Sequence, residues 1–128
     1  MRVRLAVAAA LGWAALIFWA SHQPNPFPML PSELLSHDKL IHAGVYGVLG
    51  FLVRGALAGR GLPPARAWLL AWALSVGWGV LDEVHQSFIP NRVCDVNDAV
   101  ADAVGAALGA WLAGGGLRRV RSGASIRA

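Results

Sequence analysis

The chain has 128 residues, 56% of them hydrophobic and only 14% charged, whereas soluble domains average roughly 45–50% apolar and about 25% charged residues. Its net charge of +4 comes from basic residues that flank apolar runs. No basic, aromatic-studded face of the kind that binds nucleic acid is formed. The single cysteine, Cys94, excludes an internal disulfide and any multi-cysteine metal site.

The first apolar run, residues 5–20 (LAVAAALGWAALIFWA), contains no charge and predicts a helix over about 3–20. A secretory signal is the alternative, with Met1-Arg2-Val3-Arg4 as its basic head and Ala20-Ser21 as a cleavage point. The long apolar stretch, with no soluble domain after it, favours a retained helix. The loop that follows, SHQPNPFPMLPSELLSH, carries four prolines and is expected to be irregular, with Phe27, Met29 and Leu30 near the bilayer surface. A second run, broken by His42, Tyr46 and Arg54, predicts a helix over 38–58. GRGLPPAR breaks the chain before a third run, AWLLAWALSVGWGVL, within a helix over 66–86. After a short loop around Pro90, the fourth run predicts a helix over 95–116. A bilayer-crossing helix needs roughly 20 mostly apolar residues, with about 17 as the lower limit, and with their flanks all four runs reach that length.

The expectation is an all-α fold: a four-helix transmembrane bundle occupying residues 1–117, followed by a basic cytoplasmic tail at 118–128. With both termini in the cytosol, Arg2, Arg4, Arg54, Arg60, Arg66, Arg118, Arg119, Arg121 and Arg127 lie inside. Only Lys39 and Arg92 of the eleven basic residues then lie outside, a strong positive-inside asymmetry. Trp19, Trp68 and Trp111 fall near the interfaces, where indole rings anchor.

This threading gathers the acids. All seven, including Glu33 and Asp38, fall in the outer half, where the second and fourth helices begin and the third ends at Asp82-Glu83-Val84-His85-Gln86. Residues three, four or seven apart share a helix face. That rule groups Asp38, His42 and Tyr46, with Lys39 beside them, on the second helix, and Asp95, Asp98, Asp102, Gly105 and Gly109 on the fourth. Asp102 lies roughly 10 Å below Asp95 and, as an intramembrane carboxylate, should face protein or water. The Gly105-x-x-x-Gly109 step on the same face allows a neighbouring helix to approach closely.

Structural roles compete for several of these residues. Asp38 and Asp95 suit helix N-termini, with Asp98 in a first turn. His42 could be a neutral core histidine, and Tyr46 a packing aromatic with its hydroxyl satisfied. Asp82 and Glu83, at a helix C-terminus where the macrodipole disfavours negative charge, call for compensation by Arg92, Lys39 or a ligand cation. Arg54, His22 and His37 are given no site role.

The blocks Asp38-Lys39-x-x-His42-x-x-x-Tyr46, Asp82-Glu83-x-x-Gln86-x-Phe88-x-Pro90-x-Arg92, and Asp98 with Gly105-x-x-x-Gly109 resemble the VanZ-like family of small bacterial membrane proteins over about residues 36–112. The family's namesake is associated with resistance to the glycopeptide teicoplanin. The resemblance therefore implies a multi-pass protein of the bacterial inner membrane and supplies no reaction. It also shows a departure, since relatives commonly carry Asn where this chain has Asp102.

Three functions compete. The first is an outward-facing site for a polar head group, a lipid-linked wall precursor or a glycopeptide, built from Asp38, Lys39, His42, Tyr46, Asp82, Glu83, Gln86, Arg92, Asp98 and Asp102. There Arg92 and Lys39 would pair with phosphate or carboxylate. An enzymatic version would use His42 or Glu83 as proton acceptor, but no activated Ser or Cys is present, and nothing requires a cofactor. The second is a divalent-cation or proton site on Asp82, Glu83, Asp98 and Asp102. A transport path would then need a homo-oligomer, because four helices leave little room in one copy. The third is a structural ion-paired cluster that pins three helices together.

Overall fold

The structure is a computed structural model that describes residues 2–24, 29, 31 and 37–116. Four helices follow in chain order: α1 (Arg2–His22), α2 (Asp38–Ala56), α3 (Pro64–Gln86) and α4 (Val96–Ala113). Among the described residues there is no strand. The expected basic tail and most of the proline-rich loop, including Phe27, Leu30 and Glu33, lie outside the described residues.

Helix ends differ from the sequence expectation by a turn or less, for local reasons. Pro64 opens α3 two residues early, because its fixed φ and missing N–H suit a first helical turn. The break after α2 is set by Gly59 and Gly61, both at positive φ, and α4 stops ahead of Gly115, also at positive φ. Asp95 is the N-cap of α4 rather than its first residue, and its side chain accepts from the Asn97 N–H at 2.8 Å. Asp38 does not cap α2: it is the first helical residue, and its carboxylate accepts from the Lys39 N–H at 2.7 Å. His22, expected in the loop, is the last residue of α1.

The tightest contact is between α2 and α4. A Cβ built on Gly105 would run into the carbonyl of Ala43, one on Gly109 into that of Gly47, and one on Gly50 into that of Ala106. Backbones pack here because no side chain intervenes, as in small-residue helix pairs within membranes. On the α3 side, Trp68 and Trp72 donate their indole N–H groups to the Ala107 and Ala103 carbonyls at 3.0 and 3.1 Å. Trp68, expected as an interface anchor, is thereby an interhelical tie. α1 packs on α2 and α3 through Ile17, Tyr46 and Leu49, and Trp13 donates to the Val45 carbonyl at 2.9 Å.

The polarity of the bundle is inverted. Leu5, Leu11, Leu40, Leu74 and Leu81 point outward, whereas Ser75, Asp82, Glu83, Gln86 and Asp102 are buried. A water-soluble bundle would have its apolar stripes inside, and an apolar exterior this extensive marks a surface meant for an apolar environment. By length and composition, α1 and α3 are long and apolar enough to cross a membrane. The other two carry charge within their spans, Asp38, Lys39 and Arg54 in α2 and Asp98 and Asp102 in α4.

Candidate functional site

α1 and α3 finish where α2 and α4 begin, so the ends of all four helices meet. The last turn of α3 buries Asp82, Glu83 and Gln86. Neutral donors, rather than the expected cations, meet these acids. Ser21, in the last turn of α1, donates its Oγ–H to Asp82 Oδ2 at 2.6 Å. Gln86, one turn beyond Asp82, donates to the same oxygen at 3.1 Å and to Ser21 Oγ at 3.3 Å. Glu83 Oε2 accepts the backbone N–H of Asp95 at 3.2 Å, which ties the end of α3 to the cap of α4. Placing the donors on other segments lets a carboxylate sit against the unfavourable end of the α3 dipole.

Ser21 was not among the residues singled out from the sequence. It is buried, and it links α1 to the acids of α3. The available signal was one hydroxyl in the final turn of an otherwise apolar helix that ends level with Asp82.

Across the bundle, His42 Nδ1 lies 2.9 Å from Asp102 Oδ1, and its Nε2 lies 3.7 Å from Asp98 Oδ2. Asp102 is 2% exposed, and Gly79 makes room for it. A Cβ built at that position would stand 3.1 Å from Tyr46 Cε1 and 3.2 Å from Asp102 Oδ2. A ligand atom from each of His42, Glu83 and Asp98 lies within 4.8 Å of those of the other two, a spacing that could hold a metal ion. The set of four carboxylates expected for a cation does not converge in this way. Asp82 is taken up by Ser21 and Gln86, Asp102 by His42, and His42 joins Glu83 and Asp98 instead.

At the rim, the Lys39 ammonium bridges three carboxylates: Asp95 at 2.9 Å, Asp38 at 3.3 Å, and Asp98. Lys39 beside it holds the Asp95 carboxyl below the usual carboxylate range, helped by the Asn97 N–H. In the same loop, desolvation and then the Glu83 carboxylate push the Cys94 thiol up. The loop turns at Ile89-Pro90-Asn91-Arg92, with Asn91 at φ 66° and the Arg92 N–H donating to the Ile89 carbonyl at 3.1 Å. Pro second and a positive-φ Asn third is the pattern of a type II turn, and it places Arg92 over the bundle end.

Arg92 lines a cavity of about 80 Å³ together with Ile17, Ser21, Ile41, His42, Val45, Tyr46, Asp82 and Gln86. Several polar atoms here are buried without a hydrogen-bond partner among the described residues: Tyr46 Oη, Asp82 Oδ1, Glu83 Oε1 and Arg92 Nε. Tyr46 is thus a buried aromatic whose hydroxyl is left over. Of the residues expected at the site, His42, Tyr46, Asp82, Gln86 and Arg92 line the cavity. Glu83, Asp98 and Asp102 adjoin it through His42, and Asp38 and Lys39 stay at the rim. Arg54 is at the opposite end, against Trp68 and Trp111 in a separate cavity of about 220 Å³.

An apolar exterior around a polar, incompletely paired interior is the pattern of a small helical protein of membrane type, with its polar cluster at one end. The VanZ/LLP1 family model matches residues 6–117, and the chain belongs to that family. Neither a curated protein nor a solved structure matches it.

Proposed function

We propose that this VanZ/LLP1 protein is a four-span protein of the bacterial inner membrane, with both termini in the cytosol. Its outward-facing cavity binds the polar head group of an envelope lipid. One observation carries this reading: Tyr46 and Asp82 line one cavity, and among the described residues the buried Tyr46 hydroxyl and Asp82 Oδ1, though within reach of each other, close no well-formed hydrogen bond. Buried polar groups in folded proteins are nearly always paired, and each one left unpaired costs about 1–3 kcal/mol. A cluster built only to pin helices would have closed on itself. The Lys39 pairs at the rim do that structural work, and the cavity does not.

The chemistry of the walls selects the occupant. Asp82 accepts from a hydroxyl or an ammonium, Tyr46 offers a hydroxyl, and Arg92 at the mouth suits a phosphate or carboxylate. About 80 Å³ is far below the ~300–1,000 Å³ of sites that engulf drug-sized ligands. The cavity therefore fits the terminal group of a head group, such as a phosphoethanolamine or the phosphate of a lipid-linked wall precursor. A whole glycopeptide does not fit inside, so any effect on teicoplanin would act through the lipid partner. The apolar exterior supports the bilayer placement, and the basic residues in the first turn of α1, after residue 117 in the sequence and around the α2–α3 turn support the orientation.

The test is a thermal-shift panel on protein purified in detergent, with phosphatidylethanolamine, phosphatidylglycerol, a polyprenyl phosphate and teicoplanin added in turn. One lipid class should raise the melting temperature saturably in the parent and not in Arg92→Gln or Asp82→Asn. A flat response to every lipid, or equal responses in the variants, overturns the proposal.

A further inference from the structure

The two ring nitrogens of His42 have separate tasks. Nδ1 lies 2.9 Å from Asp102 Oδ1; with Asp102 ionised that oxygen can only accept, and Nδ1 carries the proton. In the neutral ring Nε2 is then left with a lone pair. That nitrogen is 3.7 Å from Asp98 Oδ2, too far for a hydrogen bond but a natural separation for two ligands of one ion. Ligands about 2.1 Å from a tetrahedral ion stand roughly 3.4 Å apart. Glu83 supplies the third and independent sign. The residue is buried at 4% exposure. Oε2 is engaged by the Asp95 N–H, and among the described residues Oε1 has no well-formed hydrogen bond, with the weakly donating Cys94 thiol beside the carboxylate.

We infer that His42 Nε2, Glu83 and Asp98 form a binding site for one divalent transition ion of the Zn²⁺ or Mn²⁺ class, with Asp102 orienting His42. One imidazole with two carboxylates is a donor set for such ions, whereas Mg²⁺ and Ca²⁺ favour oxygen alone. A carboxylate holding the far nitrogen of a ligating histidine is the usual outer support of such sites. Charge points the same way. Asp82, Glu83, Asp95, Asp98 and Asp102 crowd this end of the bundle, and among the described residues Lys39 pairs with Asp95 and Asp98 while His42 approaches Asp98 and Asp102. Lys39 already occupies Asp98 Oδ1 and so competes with the ion. It keeps Asp95 and Asp38 as partners when Asp98 turns inward. The ion site shares His42 with the wall of the head-group cavity but takes none of Asp82, Tyr46 and Arg92, so Asp82→Asn and Arg92→Gln should leave metal uptake intact while they remove the lipid response.

The full chain, stripped with a chelator in detergent, should take up one Zn²⁺ or Mn²⁺ by equilibrium dialysis with metal analysis, and its melting temperature should rise. Two other groups attract Zn²⁺: Cys94, and the His22–His85 pair with ring nitrogens 3.2 Å apart. Uptake is therefore measured in a His85→Gln, Cys94→Ser background, where it should persist. His42→Gln and Glu83→Gln should each abolish it, and Lys39→Gln should tighten it. Asp102→Asn, which still accepts from Nδ1 but without charge, should weaken it by about 10- to 100-fold. Pulsed electron paramagnetic resonance of the Mn²⁺-loaded parent should show coupling to one imidazole nitrogen, a readout that needs no variant to fold. Absence of one-per-chain uptake in that background, equal uptake in His42→Gln, or a spectrum without nitrogen coupling overturns the site.

Discussion

At the end of the bundle that holds Ser21, His42 and Asp82, polar atoms are left without partners around a cavity. Along the seam from Ala43 to Gly109, by contrast, the backbones of α2 and α4 touch with nothing between them. The seam has the features of a scaffold: small residues, close approach, and indole donors from α3 tied to α4 carbonyls. The polar end has those of a site, with strongly polar side chains placed precisely by several helices and not fully satisfied. Rigid elements hold functional groups better than loops do, and here the rigid seam lies directly beneath His42 and Asp102. The difference teaches that tight packing and unsatisfied polarity occupy separate levels of one short bundle; if the polar level is the binding site proposed above, substitutions at the two levels should fail in different ways.

The largest effect belongs to the seam. Gly109→Leu places a side chain where the Gly47 carbonyl stands. A backbone cannot rotate away as a side chain can, so the cost should reach or exceed the ~1–3 kcal/mol of ordinary overpacking. The expected outcome is loss of the monodisperse species in size-exclusion chromatography, with or without ligand. If Gly109→Leu melts like the parent, the seam is not what holds the bundle.

Next comes Ser21→Ala. Asp82 Oδ2 would keep only Gln86, and removing a donor from a buried carboxylate costs about 1–3 kcal/mol. Melting in detergent should fall accordingly. Because the variant touches α1 alone, it also measures how firmly that helix is tied to the other three. A Ser21→Ala protein as stable as the parent would mean that α1 is held by Trp13 and Ile17, without help from the polar end.

Much of the scaffold was legible in the sequence, and the contacts of the site were not. Uncharged runs separated by Gly/Pro breakers announce four helices, because little else can bury or shelter so many apolar residues. The antiparallel threading then brings Asp82, Glu83, Asp98 and His42 to one level without any tertiary knowledge. Spacing on a single helix also put Gly105 and Gly109 on the face of Asp102. What spacing cannot supply is the rotation of one helix against another. The approach of Ser21 to Asp82 and that of Asp102 to His42 both depend on that rotation. So does the pairing of Lys39 with Asp95 and Asp98 rather than with the acids of α3. The indole N–H of Trp68 pointing at Ala107 is invisible for the same reason, since an interfacial tryptophan and an interhelical one read alike.

A smaller effect is expected at the rim, and it depends on pH. Lys39 depresses the Asp95 carboxyl in the folded protein. A group whose folded-state value is depressed contributes stability that is fully present above the ordinary aspartate value of about 4 and is lost as pH falls through the lower folded value. Asp95→Asn should therefore melt slightly below the parent at neutral pH, and the difference should shrink as the solution is acidified beneath pH ~4. Salt should narrow the gap too, because the pair is exposed. A difference that is constant across the titration would detach the loss from the Asp95 charge, since Asn caps a helix about as well as Asp.

The smallest effect on stability is expected where the effect on binding is large. Among the described residues the buried Tyr46 hydroxyl closes no well-formed hydrogen bond, so Tyr46→Phe removes an unmet group and leaves the ring packed against Ile17 and Leu49. Deleting a hydrogen-bonding group that has no partner is close to neutral or stabilising, whereas deleting one with a partner is costly. Melting without ligand should thus stay level or rise, while the stabilisation produced by the responding lipid should shrink. The two measurements together separate a hydroxyl held for a ligand from one held for the fold. If Tyr46→Phe instead melts lower and keeps its full lipid response, the hydroxyl serves the scaffold, and the division between seam and site fails at the residue that joins them.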